Sequence, residues 1–180
     1  VYLPNTKGKI GSVISVLSHT DWDEAAYKDT KIVVCDCSPE FDSNPIEFIR
    51  KFDYCLIPTT LNPLGINKNA DVIKQTFNEI RRVNSKAQLF TLINNYQTDE
   101  ANRNSLLNEV LKVQFKQFTE RDPKCHYIDP KDVAIRFSKQ LLYWGYHIFE
   151  NTRPQLAFRS TGRYSYPRMD FLKLIDYLEL

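Results

Sequence analysis

The sequence predicts a three-layer α/β fold in which a mainly parallel sheet is flanked by helices, and three observations lead there. Short apolar runs rich in β-branched residues recur with polar residues on both sides, which is how strands covered on both faces look. Between these runs the apolar spacing changes to three and four, the period of a helix with one buried face. The two patterns alternate along the chain, and alternation implies right-handed βαβ crossovers and a parallel sheet.

The elements follow in order. Residues 1–3 are a candidate opening strand, and residues 31–36 (K-I-V-V-C-D) are the first clear one. Asn44-Pro45-Ile46-Glu47 then sets a capping side chain, a first-turn proline and a glutamate in capping-box order, so a helix should start there. Residues 54–59 (Y-C-L-I-P-T) read as the next strand, and Ile66, Ala70, Ile73, Phe77, Ile80 and Val83 as one stripe over five helical turns. Residues 88–94 (Q-L-F-T-L-I-N) are a third strand, followed by the stripe Leu107, Leu111, Phe115 and Phe118. A short strand is expected at residues 126–128. Asp129-Pro130-Lys131-Asp132 repeats the helix-start chemistry before Val133, Phe137, Leu141 and Trp144. Periodicity lapses after Trp144 and returns in a closing helix with Phe171, Leu174, Ile175 and Leu178.

One domain accounts for this organisation, because 180 residues with 42% apolar and 26% charged side chains are ordinary for a chain that buries one core. No apolar run approaches the roughly 20 residues needed to cross a bilayer, and no amino-terminal series reads as a secretion signal. The expected home is the cytoplasm. Cys35, Cys37, Cys55 and Cys125 lie in or beside apolar runs without C-x-x-C spacing, so buried free thiols are expected. His19, His126 and His147 share no metal spacing. The chain has only five glycines, where ordinary usage of about 7% would give roughly a dozen. They never assemble the glycine-rich loop that brings backbone N–H groups up to phosphate.

In an open parallel sheet, ligands bind outside the carboxyl ends of the strands. Asp36 stands there after the 31–36 run, and a strand-end aspartate can hold Mg²⁺ through water with hard oxygen chemistry. The plainer alternative is that it caps a loop. Asn94 offers a donor and an acceptor on one rigid amide, suited to the edge of a base, or else forms an Asx turn.

At this point the sequence resembles a known family. Residues 31–39 (K-I-V-V-C-D-C-S-P), followed by residues 52–59 (F-D-Y-C-L-I-P-T), look like the second half of the ParA/MinD family of deviant Walker ATPases. Residues 92–99 (L-I-N-N-Y-Q-T-D) are similar to that family's strand ending in an adenine-contacting side chain. The likeness is good over residues 31–120 and loose elsewhere. It implies a P-loop NTPase-like fold that binds ATP and Mg²⁺. Asp36 would be the Walker B aspartate holding the Mg²⁺ hydration shell, and Ser38 and Pro39 the start of switch II. Pro58 and Thr59 would lie at the strand end near adenine, with Asn94 at the base-reading position. The family's K-G-G-x-G-K-[ST] loop and its switch I aspartate would precede Val1, so the chain reads as the carboxyl-terminal part of a longer ATPase. Alone, without that loop, it should not hydrolyse ATP. A second departure is Glu40 after Pro39, where the family usually has another proline.

Charge supplies a separate lead. Residues 131–169 hold seven lysines and arginines against two carboxylates, an excess of five positive charges. Arg153, Arg159, Arg163 and Arg168 interleave with Phe158, Tyr164 and Tyr166 within the irregular basic stretch and terminal helix at 145–180. Such a surface neutralises phosphates and stacks on bases, or else is a solvated tail. The resemblance favours non-specific DNA, and it implies a nucleotide-dependent homodimer, a ParB-like activating partner and a role in DNA or plasmid partition. The closing Asp176-Tyr177-Leu178-Glu179-Leu180 is too acidic for an anionic membrane surface. The competing reading is a non-enzymatic α/β module that binds nucleic acid through the basic segment.

Overall fold

The computed structural model describes residues 17–138 and 166–180, with the side chains of residues 166–168 outside that set. Four strands form one sheet in which every pairing is parallel: β1 (Tyr54–Thr59), β2 (Gln88–Tyr96), β3 (Cys125–Tyr127) and β4 (Ala134–Arg136). β2 is central, with β1 on one side; β3 and then β4 follow one another along its other side. The helices are α1 (Ile46–Ile49), α2 (Ile66–Val83), α3 (Ala101–Arg121) and α4 (Tyr166–Tyr177). This is the α/β fold expected, a mainly parallel sheet flanked by helices.

Side chains alternate across a strand, and the core divides accordingly. Cys55, Leu89, Ile93 and Cys125 face α2 and α3, where they meet Ile66, Ala70, Ile73, Phe77 and Ile80 from one helix and Leu111 and Phe115 from the other. The helical stripes are therefore the buried faces, and Phe77 joins them by packing on Phe115 and Phe118 at ring distances of 6.2 and 6.4 Å. Phe90 and Leu92 point the opposite way and meet Ile128, Val133, Ile135 and, from α4, Leu174 and Leu178. Each such side chain taken out of water stabilises the fold by about 1.5–3 kcal/mol.

Two polar residues tie the base of the sheet. Arg81, near the end of α2, pairs with Asp122 and donates to the carbonyls of Ala87 at 2.7 Å and Lys124 at 3.2 Å. Asn84 follows as the helix stop. Its amide donates to the carbonyls of Ile49 and Phe52, and its oxygen accepts from the N–H groups of Lys86 and Ala87.

Several expectations need correction. Residues 31–36 form no strand: they have no regular structure, pair with no strand among the described residues and are exposed, with Ile32 at 62% and Val34 at 87% exposure. Composition marks a tendency to extend, but a strand exists only where a partner edge satisfies its backbone, and no described residue supplies one. Asn44 does not cap α1, whose cap is Pro45. Its side chain turns back instead, donating to the carbonyls of Ser38, Glu40 and Phe41 and accepting the Ser38 N–H. The chemistry at Asp129 is real but bounds a single turn, since its oxygens accept from Lys131, Asp132 and Val133 before the chain enters β4. Val133 and Ile135 are buried with period two, and that pattern prevails over the four-residue step from Val133 to Phe137. Cys55 and Cys125 are buried free thiols as expected, whereas Cys35 and Cys37 are exposed. Residues 1–3, Leu141 and Trp144 lie outside the described residues.

Candidate functional site

Because all strands run in parallel, their carboxyl ends meet at one edge of the sheet. Thr59 is in register with Ile93, so the end of β1 lies one step short of Asn94 on β2. Asn94 is exposed; its Oδ1 accepts the Asn95 N–H at 2.8 Å, and its Nδ2 group has no partner among the described residues. Asn95 has a φ of 57°, and the pairing with β4 shifts register between Asn94 and Tyr96. The ladder resumes at Tyr96, which pairs with Arg136, and a bulge of this kind at a left-handed asparagine is common beside binding sites. Thr59 is 6% exposed, and its hydroxyl is buried without a partner among the described residues. Pro58 is exposed and points to the opposite face.

Pro58, Thr59 and Asn94 therefore stand at neighbouring strand ends, with the Thr59 side chain on the Ile93 face and those of Pro58 and Asn94 on the opposite one. Asp36, Ser38 and Pro39 are exposed and belong to no sheet strand. Asp36 has no hydrogen bond or ion pair among the described residues. Ser38 is organised by Asn44, and its hydroxyl accepts the Glu40 N–H at 3.3 Å. The Cys35 and Cys37 thiols are close enough to Cys55, near the start of β1, to act on it electrostatically. Burial is the main cause that pushes the Cys55 thiol up to about 12, with those neighbours adding to it. Arg153, Arg159 and Arg163 lie outside the described residues, and Arg168 falls within α4 without a described side chain.

A second polar group at the same edge was not anticipated. The Tyr127 hydroxyl at the end of β3 donates to Asn108 Oδ1 at 2.6 Å, Asn108 donates to Asp129 at 3.5 Å, and Asp129 pairs with Lys112 of α3. Asn104, one turn before Asn108, donates to the Gln97 carbonyl beyond β2. Burial works to raise the Asp129 carboxyl, but the Lys112 ammonium and the Lys131 N–H outweigh it and hold the group below its ordinary value. Burial drives the Tyr127 phenol up, so it stays a neutral donor. The sequence did carry a signal: Asn104 and Asn108 continue the spacing of Leu111 and Phe115, which places two amides on a buried stripe. No group of three or more metal-binding side chains is assembled among the described residues.

Compared with protein-family models, curated proteins and solved structures, the chain has no match in any of the three. Among the described residues no helix is long and apolar enough to cross a membrane.

Proposed function

We propose that the protein is the base-reading, metal-holding part of a ParA-type, P-loop NTPase-like ATPase that serves DNA partition or cargo positioning. The observation that carries this reading is the placement of Thr59 and Asn94 on neighbouring parallel strand ends, with no partner for the Asn94 Nδ2 group among the described residues. A rigid amide with free donors suits a ring-nitrogen acceptor of adenine. The winding supports it further. From β1 the chain proceeds to β2 and β3 in one direction, so a reversal of strand order would fall on the side of β1 away from β2, where an α/β sheet takes its ligand. In this reading residues 31–39, carrying Asp36, Ser38 and Pro39, reach that crevice.

In this reading Asp36 holds the hydration shell of Mg²⁺, and Ser38 and Pro39 begin the loop that senses the terminal phosphate. Pro58 and Thr59 flank adenine, and Asn94 reads its edge. ATP with Mg²⁺ supplies the phosphoryl group and most of the charge to be managed. Catalysis of such a transfer is positioning and electrostatics, and the lysine-bearing glycine loop that performs it would come from sequence ahead of Val1. The arginines at 153, 159, 163 and 168 would hold non-specific DNA, with a nucleotide-dependent homodimer and a ParB-like activator as partners.

The test uses the protein expressed with its upstream coding sequence. Asp36→Ala should abolish Mg²⁺-dependent ATP hydrolysis while leaving the thermal midpoint unchanged. Asn94→Ala should weaken a fluorescent adenine nucleotide by about tenfold, since one good hydrogen bond is worth on the order of 1.4 kcal/mol, without altering inhibition by inorganic phosphate. Undiminished turnover in the first variant, or no glycine-rich loop upstream, sinks the reading.

A further inference from the structure

The first turn of α2 lacks the groups that usually close the start of a helix. Its cap position is Gly65, no side chain bonds to the turn, and the turn holds no acidic residue. The Asn69 N–H donates to the Gly65 carbonyl and the Gly65 N–H to the Asn62 carbonyl, but the N–H groups of Ile66, Asn67 and Lys68 have no partner among the described residues. Asn62 is the nearest residue of a capping type. Its Oδ1 accepts the Leu64 N–H at 3.1 Å instead and stays within the connecting turn. N–H groups in the first turn point along the axis at the positive end of the helix dipole, an arrangement that receives an anion.

Two side chains add to these donors. Lys68 is exposed on the same turn, and the first carboxylate of the helix, Asp71, pairs with Lys74. Thr59 supplies the independent observation. Its side chain lies on the Ile93 face of the sheet, which α2 covers, and as a crossover between parallel strands α2 starts over the carboxyl end of β1. Thr59 therefore stands beneath the start of the helix, and Leu61 and Ile66, on either side of the connecting turn, share one buried cluster. Thr59 is 6% exposed, and its hydroxyl is buried with no hydrogen-bond partner among the described residues. Leaving such a hydroxyl unsatisfied is costly, and an arriving oxyanion would satisfy it. Every group offered here is a donor or a cation, so the chemistry selects an anion.

We propose that the start of α2, with Thr59 beneath it, is a binding site for a phosphate group. The N–H groups of Ile66, Asn67 and Lys68 would hold its oxygens, the Thr59 hydroxyl would donate to one of them, and the Lys68 ammonium would balance the charge. Pro58 and Asn94 face the other side of the sheet, so the site does not rest on the nucleotide reading.

The full chain, isotopically labelled, is titrated with inorganic phosphate and, at equal ionic strength, with chloride, while its amide resonances are followed. The signals of Ile66, Asn67 and Lys68 should move and saturate with phosphate but not with chloride. Thr59→Val removes the hydroxyl and keeps the shape, so it should weaken phosphate about tenfold without lowering the thermal midpoint measured in its absence. Gly65→Asp gives the turn a carboxylate of its own. The position has room for a side chain, whose first atom would lie 3.7–3.9 Å from the amides of Asn69 and Asn62. This variant should raise the midpoint and abolish phosphate binding. Signals that stay still under phosphate overturn the proposal, as do equal responses to phosphate and chloride or undiminished binding in either variant. A midpoint that falls in Thr59→Val means that the hydroxyl is engaged within the fold, and that overturns it too. Adenosine monophosphate distinguishes the two sources of the group: tighter binding than inorganic phosphate assigns the site to a phosphorylated molecule, and equal or weaker binding assigns it to free phosphate.

Discussion

Asn84 shows how much of this fold depends on one amide. It is 5% exposed and satisfies four backbone groups, two carbonyls that lead into β1 and two N–H groups that lead into β2. Asn84→Ala should lower the unfolding free energy by about 3 kcal/mol, the cost of orphaning several buried groups at once, as measured by urea denaturation. Asn84→Asp should be nearly as damaging, because a carboxylate would face the Ile49 and Phe52 carbonyls; a stable aspartate variant would show that those two bonds matter little. His126 carries a different signature. Burial lowers its pKa against the raising effect of Asp122, with Arg81 lowering it further, while its Nε2 meets Gln88 at 2.8 Å and its ring stacks on Phe90 at 4.6 Å. A histidine whose folded pKa is depressed contributes stability that is present above its unfolded value, near 6.5, and is lost as pH falls through that value. The denaturation midpoint should therefore drop between pH 7.5 and 5.5, and His126→Gln should flatten that slope. A slope unchanged in the variant would assign it to another group.

At the scale of elements, β1 is the informative case. The Gln88 N–H donates to the Asp53 carbonyl, so odd-numbered residues of β1 face β2 and residues 54, 56 and 58 face outward. Pro58 thus removes a donor from an edge of six uncharged residues that has no strand partner among the described residues, a usual way of blunting such an edge. The amides of Cys55, Ile57 and Thr59 should exchange slowly and those of Tyr54 and Leu56 quickly. Pro58→Val should restore the donor and increase self-association in sedimentation velocity; an unchanged monomer would mean that the edge is covered. The same strand marks where sequence reading succeeds. Residues 54–59 were legible because both of their requirements, a run of apolar residues and a neighbouring strand at 88–96, are met within the chain. Residues 31–36 hold a similar apolar run but have no partner edge among the described residues, and pairing is a tertiary fact. At the site, the placing of Thr59 and Asn94 at neighbouring strand ends followed from the parallel order of β1 and β2. The bond from Tyr127 to Asn108 did not, because those residues lie 19 positions apart on elements whose contact only the fold decides.

The whole molecule depends on how its second face is closed. α4 covers Phe90 and Leu92 with Leu174 and Leu178, and it is fastened to β4 by Asp170, which is 3% exposed. That carboxylate accepts the Arg136 backbone N–H at 2.9 Å and its guanidinium Nε at 2.9 Å. Asp170 is buried while the Arg136 side chain keeps 28% exposure, so what the loss of the carboxylate removes is its hydrogen bonds to the Arg136 N–H and guanidinium, on the order of 1.5–3 kcal/mol for bonds to a charged group. Asp170→Ala should therefore release α4 before the rest of the sheet unfolds. Limited proteolysis should cut within residues 166–180 first, while the amides of β2 remain protected from exchange. Replacing the pair by apolar residues, Arg136→Met with Asp170→Leu, should recover much of the lost stability and restore protection of α4. If the single variant keeps α4 protected, Leu174 and Leu178 alone hold the second face. If the double variant stays as unstable as the single one, the directional bonds from Asp170 to the Arg136 backbone, which no apolar side chain can replace, fix the helix in place.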